Sequence, residues 1–175
     1  FTSIGLDMTG KSTSLAKNYR TTTQIAEAAY SLISEDTDIV NDDNFVKPSL
    51  IDKQGSYPIF TQYHTIQEEI VGTEGLLRKL LKRYDAKEIA IVARTKRVLE
   101  EFQNEMDKNI KTALYTTQEG INFGEDTIKL LTMHSIKGLE FKIVILIGLS
   151  EKILPNPNLL QENEDAAYVE TMERK

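Results

Sequence analysis

The chain has 175 residues, 40% hydrophobic and 27% charged, with a formal net charge of −6 and no cysteine. That composition suits one globular domain with its own core, and it excludes disulfide frameworks, thiolate metal centres and, for want of a long apolar run, a helical membrane span. The acidic balance argues against coating nucleic acid with the whole surface, yet residues 151–175 hold six acidic against three basic side chains, half of the excess, so a local track elsewhere stays open.

In chain order, the first motif is Gly5-Leu-Asp-Met-Thr-Gly10-Lys11-Ser12, a literal match to a phosphate-cradling loop. Its context favours a chance match in a surface loop. Only four residues precede Gly5, too few for a feeding strand, and no apolar strand ends in an aspartate for magnesium. Next comes Leu15-Ala-Lys-Asn-Tyr-Arg-Thr-Thr22, where Tyr19 and Arg20 stand before a helix. An arginine there can reach a neighbouring domain's phosphate and a tyrosine can stack on a base, although such a pair is more often a plain helix entry. Residues 21–34 carry Ile25, Ala28, Ala29, Leu32 and Ile33 at helical spacing. Residues 35–55 read as a long polar connection, and Tyr57–Tyr63 as a strand. A helix is expected over 65–84, weakened or bent at Gly72 and Gly75. A strand over 88–93, an amphipathic helix over 95–109, a short strand over 112–116, a loop over 120–125 and a strand over 127–132 follow. The apolar run 143–147 has the character of a strand buried on both faces, and an acidic helix is expected after Pro155 and Pro157. Phe1 opens the chain with no signal-peptide pattern, so it reads as an excerpt of a longer, cytoplasmic protein.

The richest stretch is Thr132-Met-His-Ser-Ile-Lys-Gly-Leu-Glu-Phe141. Polar groups between two core strands must surface, and in an open α/β sheet they surface at the crevice outside the strand ends. Alternating strands and helices predict a largely parallel sheet with helices on its faces. Taken singly, His134 is more often a satisfied loop histidine, and Glu140 a cap or ion-pair partner; their joint spacing favours function. His64, on a predicted strand flank, is read as structural.

Two segments, NYRTTTQIAEAAYSLI and LLTMHSIKGLEFKIVILIGLSEKILP, resemble motifs IV and V of the UvrD/Rep class of superfamily 1 DNA helicases. AIVARTKRVLEEFQNEM, residues 90–106, resembles the element between them, and the likeness runs from about residue 12 to about 155. The resemblance implies a RecA-like second motor domain over 1–175, incomplete at its C-terminal edge and lacking a functional P-loop. The parent would be an ATP-dependent DNA helicase, a DNA-repair class of enzyme, with this piece inactive alone. Arg20 would be the catalytic finger on the γ-phosphate of ATP held by the N-terminal RecA-like domain of the same protein. Tyr19 would stack on adenine, Glu140 would accept from the ribose hydroxyl, and Gly138 would stand beside the nucleotide. Thr132 and His134 would hold the backbone of single-stranded DNA, with Arg94 as a third contact. Lys137 lies between the two ligands with no single role. Magnesium would be held by the partner domain, and no metal ligand is expected here. The 90–106 element and motif V lie close in sequence, so the large domain usually inserted between them is absent or minimal. That resembles the helicase IV and HelD branch and adds RNA polymerase as a candidate partner. AAYVETMERK resembles motif VI only faintly, with Glu173 where an arginine should stand. Two alternatives stay open: a helicase-like module that binds RNA polymerase or another protein, and a self-contained P-loop enzyme built on Gly5–Ser12.

Overall fold

The computed structural model describes residues 21–34 and 53–150. The chain divides into two units, residues 1–60 and 61–175. The Gly5–Ser12 motif, Tyr19, Arg20 and the acidic segment after Pro155 lie outside the described residues.

In the first unit, helix α1 spans Thr23–Ile33, as its periodicity predicts. Thr22 is the N-cap residue, yet its hydroxyl makes no capping bond. The helix entry is tied instead to the 53–55 backbone: Thr23 N–H donates to the Lys53 carbonyl at 2.9 Å, and Gly55 N–H to Gln24 Oε1 at 2.8 Å.

In the second unit, α2 spans Ile66–Leu80. Thr65 caps it through a 3.1 Å bond from Glu68 N–H, and the Glu68 carboxylate reaches back to His64 N–H, one residue before the cap, at 2.9 Å. The helix continues unbroken through Gly72. A Cβ there would collide with the Tyr63 ring, so the glycine makes room for it. Residues 57–63 form no strand. Pro58 removes a donor, no described strand pairs with the segment, and Tyr57, Ile59 and Phe60 stay exposed.

A 3₁₀ turn at Ala86–Glu88 leads into β1, Ile89–Ala93; α3 follows at Lys96–Glu105, then β2 at Thr112–Tyr115, β3 at Ile128–Thr132 and β4 at Ile143–Leu146. The four strands form one sheet in the order β2-β3-β1-β4, and every pair is parallel. This is the expected α/β architecture, and strand order, unreadable from the pattern, places β3 and β1 centrally.

Period-two alternation gives the sheet two distinct faces. Ile89, Ile91, Ala93, Ile128 and Leu130 join Ile70 and Leu77 of α2 and Val98, Leu99 and Phe102 of α3 in the main core. Ala90, Val92 and Leu131 face the other way, against Tyr115, Ile121, Met133, Ile136, Leu139 and Phe141. Among the described residues, α2 and α3 pack on the first face, whereas the second is covered by the loops after β2 and β3.

The run at 143–147 corrects the expectation of burial on both faces. Among the described residues β4 is the last strand of the sheet and only one of its faces is covered: Ile143 and Ile145 pack on the main core while Val144 and Leu146 are about half exposed.

Lys129 is a fully buried charge on the central strand β3. Its Nζ reaches back to the Glu125 carbonyl and to Thr127 Oγ1, both at 2.8 Å. Burial pushes the ammonium below its ordinary pKa, while Glu125 and Asp126 pull it partway back. The folded chain thus binds this proton less tightly than the unfolded chain. Its effect on stability is least favourable below the folded pKa and improves as pH rises toward the unfolded value of about 10.4. Urea midpoints measured at about pH 7 and pH 10 should therefore rise more in the parent than in Lys129→Met. Equal rises would refute this role for Lys129. At neutral pH the substitution is expected to change stability by no more than about 1 kcal/mol, because an apolar stem replaces a buried charge.

Candidate functional site

Parallel registry brings the strand ends to one edge. Ala93 is level with Thr132, and Val92 with Leu131 and Leu146, so the residues after β1 and β3 emerge side by side. Arg94 follows β1, and the 133–142 connection follows β3.

That connection must leave the top of β3, cross β1 and reach the foot of β4. It does so without a helix, running down the second face. Ile136, Leu139 and Phe141 anchor it on Ala90, Val92 and Leu131, and the Phe141 ring lies 6.3 Å from that of Phe123. Apolar residues therefore point inward and the polar ones outward: His134, Lys137, Gly138 and Glu140 are all exposed.

The first turn of the loop is closed by Thr132 and Ser135. Ser135 Oγ accepts from Thr132 N–H at 2.9 Å, and the two hydroxyls lie 2.8 Å apart. Ser135 N–H returns to Thr132 Oγ1 at 3.1 Å, and Ser135 Oγ donates to the Thr132 carbonyl at 3.2 Å. Met133 N–H binds the Ala93 carbonyl at 3.0 Å, extending the β1–β3 ladder by one step. Ser135 is buried, and sequence reasoning passed over it. A serine three residues beyond a strand-terminal threonine was the available signal, since such hydroxyls close turns.

This turn sets His134 beside Arg94, with Nη1 of the arginine 3.3 Å from Nδ1 of the histidine. A guanidinium can only donate, so Nδ1 accepts and the ring's proton sits on Nε2. The pair leaves an N–H on the histidine and further N–H groups on the arginine for an anionic ligand.

Farther along, Gly138 adopts φ +90°, a conformation costly for any residue with a Cβ. Nothing lies within 4 Å of where that Cβ would sit, so conformation rather than crowding selects glycine. The turn sends Leu139 down to the sheet and leaves Glu140 outside. Gln118, in the loop after β2, donates from Nε2 to the Lys137 carbonyl and, at 3.3 Å, to that of Ser135. After β4, the buried Gly148 N–H is held at 2.9 Å by Glu69 from the first turn of α2. Neither Gln118 nor Glu69 carries a motif signal, because each acts through a long-range contact.

Of the predicted site residues, Arg94 and His134 touch and Thr132 joins them through its turn. Tyr19 and Arg20 lie outside the described residues, as does any convergence of Arg20 with Glu140. Among the described residues no three His, Cys, Asp or Glu side chains gather to hold a metal. A shallow apolar groove lined by Tyr63, Gln67, Val71 and Gly72 shares no residue with this loop.

A family model described as the UvrD-like helicase C-terminal domain matches residues 13–123 and 109–171. The chain is 41% identical over 64 residues to an ATP-dependent DNA helicase PcrA of Leuconostoc citreum, covering 33% of this chain and 8% of that protein. It is 45% identical over 42 residues to PcrA of Bacillus subtilis, covering 24% and 6%, and 42% identical over 41 residues to PcrA of Staphylococcus aureus, covering 23% and 6%. The matched stretches span less than a tenth of each relative's length. No solved structure matches.

Proposed function

The chain belongs to the UvrD-like helicase C-terminal domain family, and on that premise we propose that it is the second motor domain of an ATP-dependent DNA helicase or translocase. In this reading the strand-end loop grips single-stranded DNA, and Arg20 reaches ATP held on a partner RecA-like domain. The observation that carries the DNA half is the Arg94–His134 contact at the edge where β1 and β3 end. The N–H groups that remain there suit phosphate oxygens, contacts that position a strand without specifying its sequence.

The nucleotide half rests on the exposed Glu140 carboxylate beyond the Gly138 turn, which suits a ribose hydroxyl, and on family membership. Bound ATP would supply the free energy that separates two states of the cleft. This chain's part is to have a different affinity for DNA in each, because only a differential interaction can shift an equilibrium. Magnesium falls to the partner domain in this reading. The 175-residue chain alone should accordingly show no magnesium-dependent ATP turnover above background, and robust turnover would count against the proposal.

Oligothymidylate binding, followed by fluorescence anisotropy across a salt series, tests the grip. Arg94→Ala with His134→Ala is expected to weaken binding about tenfold and to flatten the log–log salt slope by about one. Unchanged affinity and slope would remove these residues from the DNA path.

A further inference from the structure

The side-chain amide of Gln118, from the loop after β2, holds the backbone at the centre of the 132–141 loop. Its Nε2 carries two hydrogens, and the Ser135 and Lys137 carbonyls face it. Carbonyl oxygens only accept, so chemistry fixes which end of the amide points at them. The two carbonyls bracket Ile136 and Lys137, and the first belongs to the residue after His134. Fixing the Lys137 carbonyl also fixes the Lys137–Gly138 peptide plane, the plane that leads into Gly138 at φ +90°.

The rest of the loop is held by other means. Thr132 and Ser135 close its start. Ile136, Leu139 and Phe141 seat it on the sheet. Within the loop, Ile136 N–H donates to the Thr132 carbonyl at 3.0 Å and Leu139 N–H to the Ile136 carbonyl at 2.9 Å. The apolar anchors resist lifting but do not orient the loop on the sheet, because burial is non-directional. A directional amide from another loop adds that orientation.

We propose that Gln118 is a positioning residue whose amide sets the orientation in which His134 and Lys137 meet a nucleic-acid backbone. This rests on the reading of the loop as a DNA grip. Gln118 itself touches no ligand; it acts through the loop's carbonyls, and the contact links the β2–β3 connection to the site.

Two substitutions test it in the full chain. Gln118→Met keeps the length and removes both donors, whereas Gln118→Lys restores a donor. Hydrogen exchange at the Leu139 amide, which bonds to the Ile136 carbonyl at 2.9 Å, reports the loop without any ligand. Exchange should be about tenfold faster in Gln118→Met and close to parental in Gln118→Lys. Unchanged exchange in Gln118→Met overturns the clamp. Oligothymidylate affinity should fall about fivefold in Gln118→Met, and that loss should shrink to less than about twofold when His134→Ala and Lys137→Ala are already present. A loss that persists undiminished in that background means that Gln118 acts by another route. Faster exchange with unchanged affinity makes the amide structural only, and the positioning role is lost. If the parent chain binds no oligothymidylate, it is the DNA-grip reading that fails, and the positioning role falls with it while the clamp itself is judged on exchange.

Discussion

Arg20→Ala in the full-length protein is expected to lower the DNA-stimulated kcat for ATP hydrolysis about a thousandfold, while the Kd for ATP moves by less than about threefold. The asymmetry follows from where charge develops. A planar guanidinium at the γ-phosphoryl group is aimed at the charge that develops as the bond to the leaving oxygen breaks, charge that bound ATP does not yet carry there, so its removal is felt in kcat. Arg20→Lys should recover little, because an ammonium keeps the charge but not the rigid fork. Rapid-quench hydrolysis together with equilibrium nucleotide binding separates the two quantities. A variant that loses ATP affinity and keeps its turnover per bound nucleotide would place Arg20 in ground-state binding and remove the finger assignment.

Phe102→Ala is expected to cost about 4 kcal/mol of folding stability, a large share of the roughly 5–15 kcal/mol that typically holds a domain together. Phe102 is fully buried where α3 packs on the sheet, and it belongs to the same cluster as Ile91, Leu130 and Leu77. Alanine would leave a cavity that a core bounded by three elements cannot close. Val144→Thr is the control. Val144 is apolar too, but it faces away from the main core on β4 and is about half exposed, so its loss should stay within about 0.5 kcal/mol. Urea unfolding reads both as shifts of the midpoint at constant slope. Comparable costs at the two positions would mean that the faces of the sheet have been assigned wrongly.

Helices and strands that bury an apolar stripe were legible from periodicity alone. α2, α3, β1 and β3 all lie within the predicted spans, and both predicted helices stop about four residues early. The strand predicted at 57–63 shows the limit of that logic. Alternation describes what a segment could bury, but a strand exists only where another backbone takes its donors and acceptors, and Pro58 has no donor to give. The run at 143–147 shows the same limit from the other side. Five apolar residues look alike in sequence, whether a neighbour lies on both sides or on one.

The chemistry-bearing residues of the site were visible because their types and spacing are unusual between two apolar strands. Thr132, His134, Lys137, Gly138 and Glu140 stand out in a stretch that packing alone would not write this way. The partners that hold them were not visible. Ser135 reads as an ordinary loop serine, and Gln118 and Glu69 lie far away in the chain.

Local order along the polymer thus determined the elements, the family and the exposed side chains of the strand-end loop, since periodicity and motif spacing are properties of neighbours along the chain. Only the tertiary structure decided the strand order β2-β3-β1-β4, the meeting of Arg94 with His134 across forty positions, and the amide clamp from Gln118. Each of these depends on which strands lie side by side, and that is settled by the joint burial of both sheet faces and the pairing of every buried backbone group, conditions that no single segment carries by itself.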